Sequence, residues 1–355
     1  MFDKLDTAAA RFRELEGRMA DPAVIADNTL YTSLMKEYRR LEPIAAAYER
    51  YQTLKTALAE TRELAITADD REMRELALEE QESLREALSA TEQELKVFLL
   101  PRDPNDDRNV IVEIRAGAGG EEAALFAAVL YRMYTMYAEN AGFKTARMSQ
   151  NETELGGFRE IVFQVEGDGA YSRFKFESGV HRVQRVPVTE SQGRIQTSTV
   201  TVAVLPEAEA VDVEINPADI VMESCKSSGA GGQHINKTES AVRLTHKPTG
   251  IVVECQEERS QFKNRDKALK MLYTKLLDIK RTEQENKIAG ERRTQVGTGD
   301  RSERIRTYNY PQGRMTDHRI GLTLYSLDKI LNGNIGDVID ALIAADTALK
   351  MQEQA

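Results

Sequence analysis

Long apolar runs are missing from this 355-residue chain. No stretch approaches the roughly 18 apolar residues that a bilayer-spanning helix needs, so no membrane partner is expected. The opening segment, MFDKLDTAAARFRELEGRMADP, is charged throughout and lacks the apolar centre of a secretory signal. Cysteine is scarce: two residues cannot make a disulfide framework. Cys225 and Cys255 flank a glycine-rich stretch, and two reduced thiols of a cytosolic protein fit them better than a bridge. Histidine is scarce as well. His181, His234, His246 and His318 form no HxxxH, HExxH or CxxC…H spacing, which argues against a metal site, and no cofactor is expected. There is no GxSxG elbow for a serine hydrolase and no GxxxxGK[ST] nucleotide loop. Tandem repeats and low-complexity tracts are absent too.

What is present fits a globular chain. Hydrophobic residues make up 41% and charged residues 30%, enough for a proper core, and the length suggests two to three domains. The net charge of −10 by itself argues against a nucleic-acid partner. Its distribution reverses that argument. Residues 1–100 carry 14 Lys and Arg against 21 Asp and Glu, a balance of −7, whereas residues 223–320 carry 20 against 13, a balance of +7. A charge run is commonly just a solvated face, but this basic half also holds the glycine-rich stretch, which favours a polyanion-facing region.

The chain changes character three times. Phe2, Leu5, Ala9, Phe12, Leu15 and Met19 recur at helical spacing, as do Leu34, Tyr38, Leu41, Ala45 and Tyr48. Met73, Leu76, Leu84, Leu88, Leu95 and Phe98 predict a third long helix. These stripes predict packing between helices in an N-terminal bundle or coiled-coil hairpin. PRDPNDDRN, residues 101–109, reads as a linker. Beyond it, VIVEI (110–114) predicts a strand and residues 121–140 a helix. Further strands are expected at 160–165, 181–186 and 198–205, with a short helix near 169–175. Residues 241–256 predict a β-hairpin turning at Lys247-Pro248-Thr249-Gly250, and residues 257–290 a basic helix with Phe262, Leu269, Leu272, Leu276 and Ile279 as its apolar stripe. Residues 304–327 read as turn plus strand, and the tail as helix. The fold class is multidomain α+β: helices first, then mixed α+β domains.

Two glycine clusters invite functional readings. GAGGEE (117–122) joins a strand to a helix. Helix N-terminal amides attract anions, but Glu121 and Glu122 would repel phosphate. A tight turn with a charged helix start is one reading; a helix tip offering amides and a carboxylate to a base edge is the other. The second cluster is SSGAGGQHINKTES, residues 227–240. Ser227 or Ser228 with His234 lacks a third member for nucleophilic catalysis. Gly231 and Gly232 allow backbone angles closed to other residues and keep the main chain thin. Gln233 could then offer its N–H to a developing oxyanion and its amide to a water. Glutamine is no general base, so such a site needs a partner to complete it. Lys226, Lys237, Arg243, Lys247, Arg259, Lys263 and Arg265 suggest that the partner is nucleic acid.

This stretch does not stand by itself. RVQRVPVTESQGRIQTSTVTVAVLPE lies upstream and GTGDRSERIRTYNYPQGRMTDHRI downstream. With SGAGGQHINKTESAVRLTHKPTGI between them, the chain resembles the bacterial class I peptide chain release factors from its N-terminal helices to its tail. The resemblance implies that Gly231, Gly232 and Gln233 enter the peptidyl transferase centre when a stop codon occupies the A site. There they promote hydrolysis of the peptidyl-tRNA ester, with ribosomal RNA and tRNA supplying the rest of the site. The chain would therefore not be a free-standing enzyme. Gln233 is expected to be N5-methylated by a dedicated glutamine methyltransferase.

Pro187-Val188-Thr189 matches the family's Pro-x-Thr codon-reading tripeptide, and the Ser-Pro-Phe of the UGA-reading sister factor is absent. UAA and UAG are the implied codons. Gln184 and Thr197 match the third-base readers, and Gly119 and Glu122 the reader of the first uridine. One position departs: Gln196 stands where the family commonly has a histidine that stacks on the codon. An amide lacks a ring, so weaker stacking is expected. The implied partners are ribosomal RNA, the mRNA stop codon, P-site peptidyl-tRNA and a class II release factor GTPase, for a cytoplasmic monomer. Four segments are expected: helical 1–105, codon-reading 106–208, Gly-Gly-Gln 209–298, and a C-terminal segment, 299–355, packing with the second. Two other readings compete: a codon-independent ribosome-rescue hydrolase, which would end in a basic tail, and a non-catalytic coiled-coil RNA-binding adaptor.

Overall fold

Apolar residues at three- and four-residue spacing draw the first hundred residues into helices. In the computed structural model, which describes residues 2–68, 70–101, 103–187, 190, 192–208, 215–226, 239–258, 260–297 and 299–353, these are α1 (Phe2–Met19), α2 (Pro22–Ala26), α3 (Asn28–Thr67) and α4 (Arg71–Phe98). Asp21, Asp27 and Asp70 cap the last three by accepting backbone N–H bonds at their starts. The chain divides into two bodies, residues 1–103 with 340–355, and residues 104–339.

In the first body Leu5, Ala9, Leu15, Leu34, Leu41 and Tyr48 are buried, as the stripes predict for α1 and α3, and Tyr51 is buried beside them. The α4 stripe is different. Leu95 is fully buried, but Met73 and Leu76 are exposed, and Ala77 and Gln81 take the inner face instead. Among the described residues, the clusters that hold α1 reach α3 at residues 31–51, and Met73 and Leu76 belong to neither; a helix buries only the part of its apolar stripe that its neighbours cover.

The second body is built on an eight-stranded sheet. Its strands are β1 (Val110–Ala116), β2 (Lys144–Glu152), β3 (Phe158–Glu166), β4 (Gly179–Arg185), β5 (Gln196–Pro206), β9 (Arg304–Asn309), β10 (Arg314–Asp317) and β11 (Leu322–Leu324). The spatial order is β11-β10-β9-β4-β5-β1-β3-β2. All neighbours are antiparallel except β4 and β9, which run parallel, so a segment far along the chain completes the sheet. Helix α5 (Glu121–Asn140) covers one face through Phe126, Leu130, Met133 and Tyr134, against Val112, Ile114, Phe163 and Val202. Helix α6 (Ala170–Phe174) precedes β4.

A separate three-stranded sheet, β6 (Ile220–Cys225), β7 (Ala241–His246) and β8 (Val252–Cys255), packs on α7 (Gln261–Val296). Val242, Leu244 and Val253 meet Ala268, Leu272 and Leu276 there. Leu272 and Leu276 are core, as their spacing predicts, but Phe262 is 76% exposed and Ile279 is exposed. Asn264 and Ala268 continue the buried line instead. Cys225 and Cys255 are free thiols on the two outer strands. The chain ends in α8 (Leu327–Leu331) and α9 (Gly336–Glu353).

Three strand regions differ from the sequence reading. β2 and β6 are nearly all exposed, so they carry no apolar alternation to announce them. Residues 304–324 form three strands rather than a turn and one strand, because pairing with β4 and with each other satisfies short segments that have little pattern of their own.

Candidate functional site

Strands β4 and β5 form an antiparallel pair, joined at one end by residues 186–195. The register sets Gln184 directly opposite Thr197 and Arg185 opposite Gln196. Directly opposed residues in such a pair have Cβ atoms about 4.5–5.5 Å apart on one face. The two candidate third-base readers are thus cross-strand neighbours, although thirteen positions separate them in sequence.

The connection between the strands has its own order. Glu190 N–H donates to the Pro187 carbonyl at 3.1 Å, across Val188 and Thr189, which lie outside the described residues. Pro187 is buried. The Glu190 carboxylate accepts from Gln192 N–H at 3.0 Å and from the Gln196 amide nitrogen at 2.9 Å. A carboxylate only accepts, so this bond fixes which end of the Gln196 amide faces it. Gln184 turns its amide oxygen to Asn309 Nδ2 at 3.2 Å, so exchanging donor for acceptor there means giving up one weak bond.

The start of α5 reaches the same end of the sheet. Gly117 N–H donates to the Thr199 carbonyl at 2.9 Å, and Thr199 N–H donates to the Ala118 carbonyl at 2.8 Å. Gly119 has φ +135, and a Cβ there would stand 2.4 Å from Ser198 Oγ. Only glycine lets the turn lie this close to β5. Three residues on, buried Glu122 receives the Arg185 guanidinium, while its second carboxylate oxygen has no hydrogen-bond partner among the described residues. Arg185 also lies over the Tyr310 ring. Gly119, Glu122, Gln184, Pro187, Gln196 and Thr197 therefore converge on one end of the sheet.

The Gly-Gly-Gln stretch lies elsewhere in the sequence. Gly231, Gly232 and Gln233, with all of residues 227–238, fall outside the described residues. What frames them is ordered. Cys225 pairs with Ala241, so the chain leaves and re-enters the small sheet at adjacent positions. Fully buried Asn264 donates to the Ser240 carbonyl at 2.7 Å and to the Glu258 carbonyl at 2.8 Å, and accepts from Glu258 N–H at 2.9 Å. One amide thus ties the exit of the stretch to the start of α7. Of the flanking cations, Arg243 stands opposite Glu223 and Glu254 on the neighbouring strands.

Sequence models of two domain families match the chain: a PCRF domain over residues 8–202 and an RF-1 domain over residues 209–319. A curated peptide chain release factor 1 from Acetivibrio thermocellus is 59% identical over 351 residues, 99% of this chain and 98% of that one. The protein of that name from Clostridium novyi is 55% identical over 352 residues, 99% of each chain. The chain belongs to the peptide chain release factor 1 family. Among solved structures, RF2 of Thermus thermophilus is 32% identical, covering 96% of this chain and 94% of that one at a TM-score of 0.48, and the membership does not rest on it.

Several residues of this release factor framework are silent in sequence. Arg185 and Glu190 look like ordinary surface charges, yet one holds Glu122 and the other Gln196. A buried ionic cluster joins the turn before β4 to β9 and β10: Arg306 pairs with Glu177 and, at 2.7 Å, with Asp317, and Asp317 also takes Arg319 at 2.7 Å. Burial works against the Asp317 charge, but Arg319 and Arg306 outweigh it and hold its pKa at about 2. His181 sits beside the cluster, its Nε2 2.9 Å from the Glu177 carbonyl and its Nδ1 3.1 Å from the Tyr308 hydroxyl. Burial, then the Arg306 charge, lowers its pKa to about 4. The only advance signal of this cluster is its chemistry: four charged residues and a histidine in otherwise strand-like segments.

Proposed function

We propose that this chain terminates translation by reading UAA and UAG in the ribosomal A site and promoting hydrolysis of the peptidyl-tRNA ester. The observation that carries the decoding half is the convergence of the α5 tip, the Gln184–Thr197 pair and the 186–195 connection on one end of the sheet. Gly119 and Glu122 read the first uridine. Pro187-Val188-Thr189 meets the codon's base edges, a hydroxyl being both donor and acceptor, and Gln196 stands where the second and third bases part. Gln184 and Thr197 take the third base, where a reorienting amide tolerates A and G. For hydrolysis, the Gln233 N–H stabilises the developing charge and its side chain shapes the water site. No general base is required of the chain, because RNA completes the site.

The partners follow: ribosomal RNA, mRNA, P-site peptidyl-tRNA, a glutamine methyltransferase acting on Gln233 and a class II release factor GTPase, in the cytoplasm. The four expected segments are the working parts: 1–105, 106–208 for the codon, 209–298 for hydrolysis and 299–355. Peptide release from ribosomes programmed with UAA, UAG, UGA or a sense codon tests the reading. Release on UAA and UAG is expected, and release on UGA but not UAG refutes it. Gln233→Pro should bind such ribosomes and release nothing; release at the unsubstituted rate would remove Gln233 from the mechanism.

A further inference from the structure

The Glu190 carboxylate is a shielded acceptor inside an exposed connection. Its side chain is only 9% exposed, although residues 192–196 beside it lie in solvent. Both of its oxygens are engaged. Oε1 accepts from Gln192 N–H at 3.0 Å, and Oε2 accepts from Gln196 Nε2 at 2.9 Å, with Arg194 Nε at 3.7 Å. Glu190 N–H in turn donates to the Pro187 carbonyl at 3.1 Å, so backbone bonds hold the residue from both sides.

A side-chain amide has one donating branch and one accepting branch. With the nitrogen on Glu190, the branch of Gln196 left for a ligand is the oxygen. Turning the amide over would set two acceptors face to face, and a carboxylate has no proton to mend that contact. Gln184 contrasts with this, because a 3.2 Å bond to the neutral Asn309 amide is what orients its oxygen. Purines differ at the place such an oxygen probes. Adenine carries an amine at position 6, a donor, where guanine carries a carbonyl, an acceptor. Bases in an unpaired strand expose that edge. UAA and UAG, the codons proposed above, have adenine second, and UGA has guanine there.

We propose that Glu190 is a positioning residue for codon specificity: by taking the Gln196 nitrogen it aims the Gln196 oxygen at the second base, where the amine of adenine answers it and the carbonyl of guanine does not. The inference rests on the stop-codon reading above. It gives Gln196 a hydrogen-bonding role in place of the stacking that a histidine ring provides. It also divides the work along the codon: a fixed amide selects one purine at the second base, and an invertible amide accepts both at the third.

The test is the ratio of release on UAA to release on UGA, each as kcat/KM, for the full-length protein on programmed ribosomes. Glu190→Gln keeps the shape of the side chain. Gln192 N–H claims its oxygen, so its NH2 faces Gln196 and inverts that amide. The ratio should fall about tenfold, the worth of one mismatched hydrogen bond. The UAG to UAA ratio, which compares codons with the same second base, should stay within about twofold. Adding Gln196→Glu to Glu190→Gln supplies an acceptor that needs no orienting, and should return the UAA to UGA ratio to within about threefold of wild type. Gln196→Leu, at an exposed position, removes both branches and should also lower the ratio, which covers the case that the Glu190 variants fail to fold. A purely structural loss would lower release on both codons together. An unchanged UAA to UGA ratio in Glu190→Gln or in Gln196→Leu therefore overturns the inference, as does a double variant no better than Glu190→Gln. A wild-type ratio near one overturns the stop-codon reading itself and the inference with it.

Discussion

Replacing His181 by glutamine should flatten the mildly acidic limb of the stability profile of the eight-stranded sheet. A backbone carbonyl can only accept, so the 2.9 Å contact with Glu177 makes Nε2 the protonated nitrogen and leaves Nδ1 to accept from Tyr308. A second proton would put a charge in a fully buried site beside Arg306. The pKa accordingly falls from 6.5 to about 4. The unfolded chain takes up this proton as pH drops through 6.5, whereas the folded chain resists until about 4. Stability is therefore lost as pH falls across that window and is level on either side of it. At 1.36 kcal/mol per pH unit the loss is about 3 kcal/mol by pH 4 and somewhat less at pH 4.5. Asp317 acts lower: its carboxylate, held at about 2 against an ordinary 3.8, loses its contribution only as pH falls below about 4. His318 is also lowered, mainly by burial, but it is common to both proteins and cancels in the comparison.

Glutamine can keep the donor to Glu177 and has no proton to gain. Amide hydrogen exchange of β4 and β9, corrected for intrinsic rates, gives the local stability at pH 7, 5.5 and 4.5. The wild type should lose about 2–3 kcal/mol relative to His181→Gln between the extremes. With four histidines in the chain, an NMR titration of labelled imidazoles can follow each one. A stability difference that is constant with pH, or a His181 midpoint near 6.5, would refute the reasoning.

Two further outcomes are expected. Gly119→Ala should raise the half-saturating factor concentration on UAA by at least tenfold, because its Cβ meets Ser198 at 2.4 Å and overpacking of this kind costs about 1–3 kcal/mol; adding Ser198→Gly should recover part of the loss, and a silent Gly119→Ala would mean that the turn need not lie on β5. Leu272→Ala should destabilise the small sheet by about 2–5 kcal/mol, seen as faster exchange of β7 and β8 amides with β1 and β3 unchanged; uniform acceleration would mean that the two sheets share one core.

Much of this was open to reading in one dimension. Helices announce themselves by period, and α5 begins and ends where the turn and the apolar stripe place it. Gly-Gly-Gln and Pro-Val-Thr are short, but their order and spacing in a long matching frame carry the family. Exposed edge strands such as β2 escaped because nothing on either face demands apolar residues. Met73 and Phe262 satisfied a helical period and still lie in solvent, because period describes a face and says nothing of whether a partner covers it.

The sequence by itself determined the helical first segment, the strand-rich second, and the residue types able to read a codon or assist hydrolysis. These depend on neighbours within about a turn of helix or a pair of strand residues, which a local pattern records. Tertiary structure alone decided that Gln184 stands opposite Thr197, that Gly119 lies against Ser198, and that Thr199 joins the 117–120 turn to Gly299. Those contacts are set by strand register and by parallel pairing of β4 with β9 across more than a hundred residues. Register is fixed by which faces can be buried together, a property of the assembled sheet and of no segment within it.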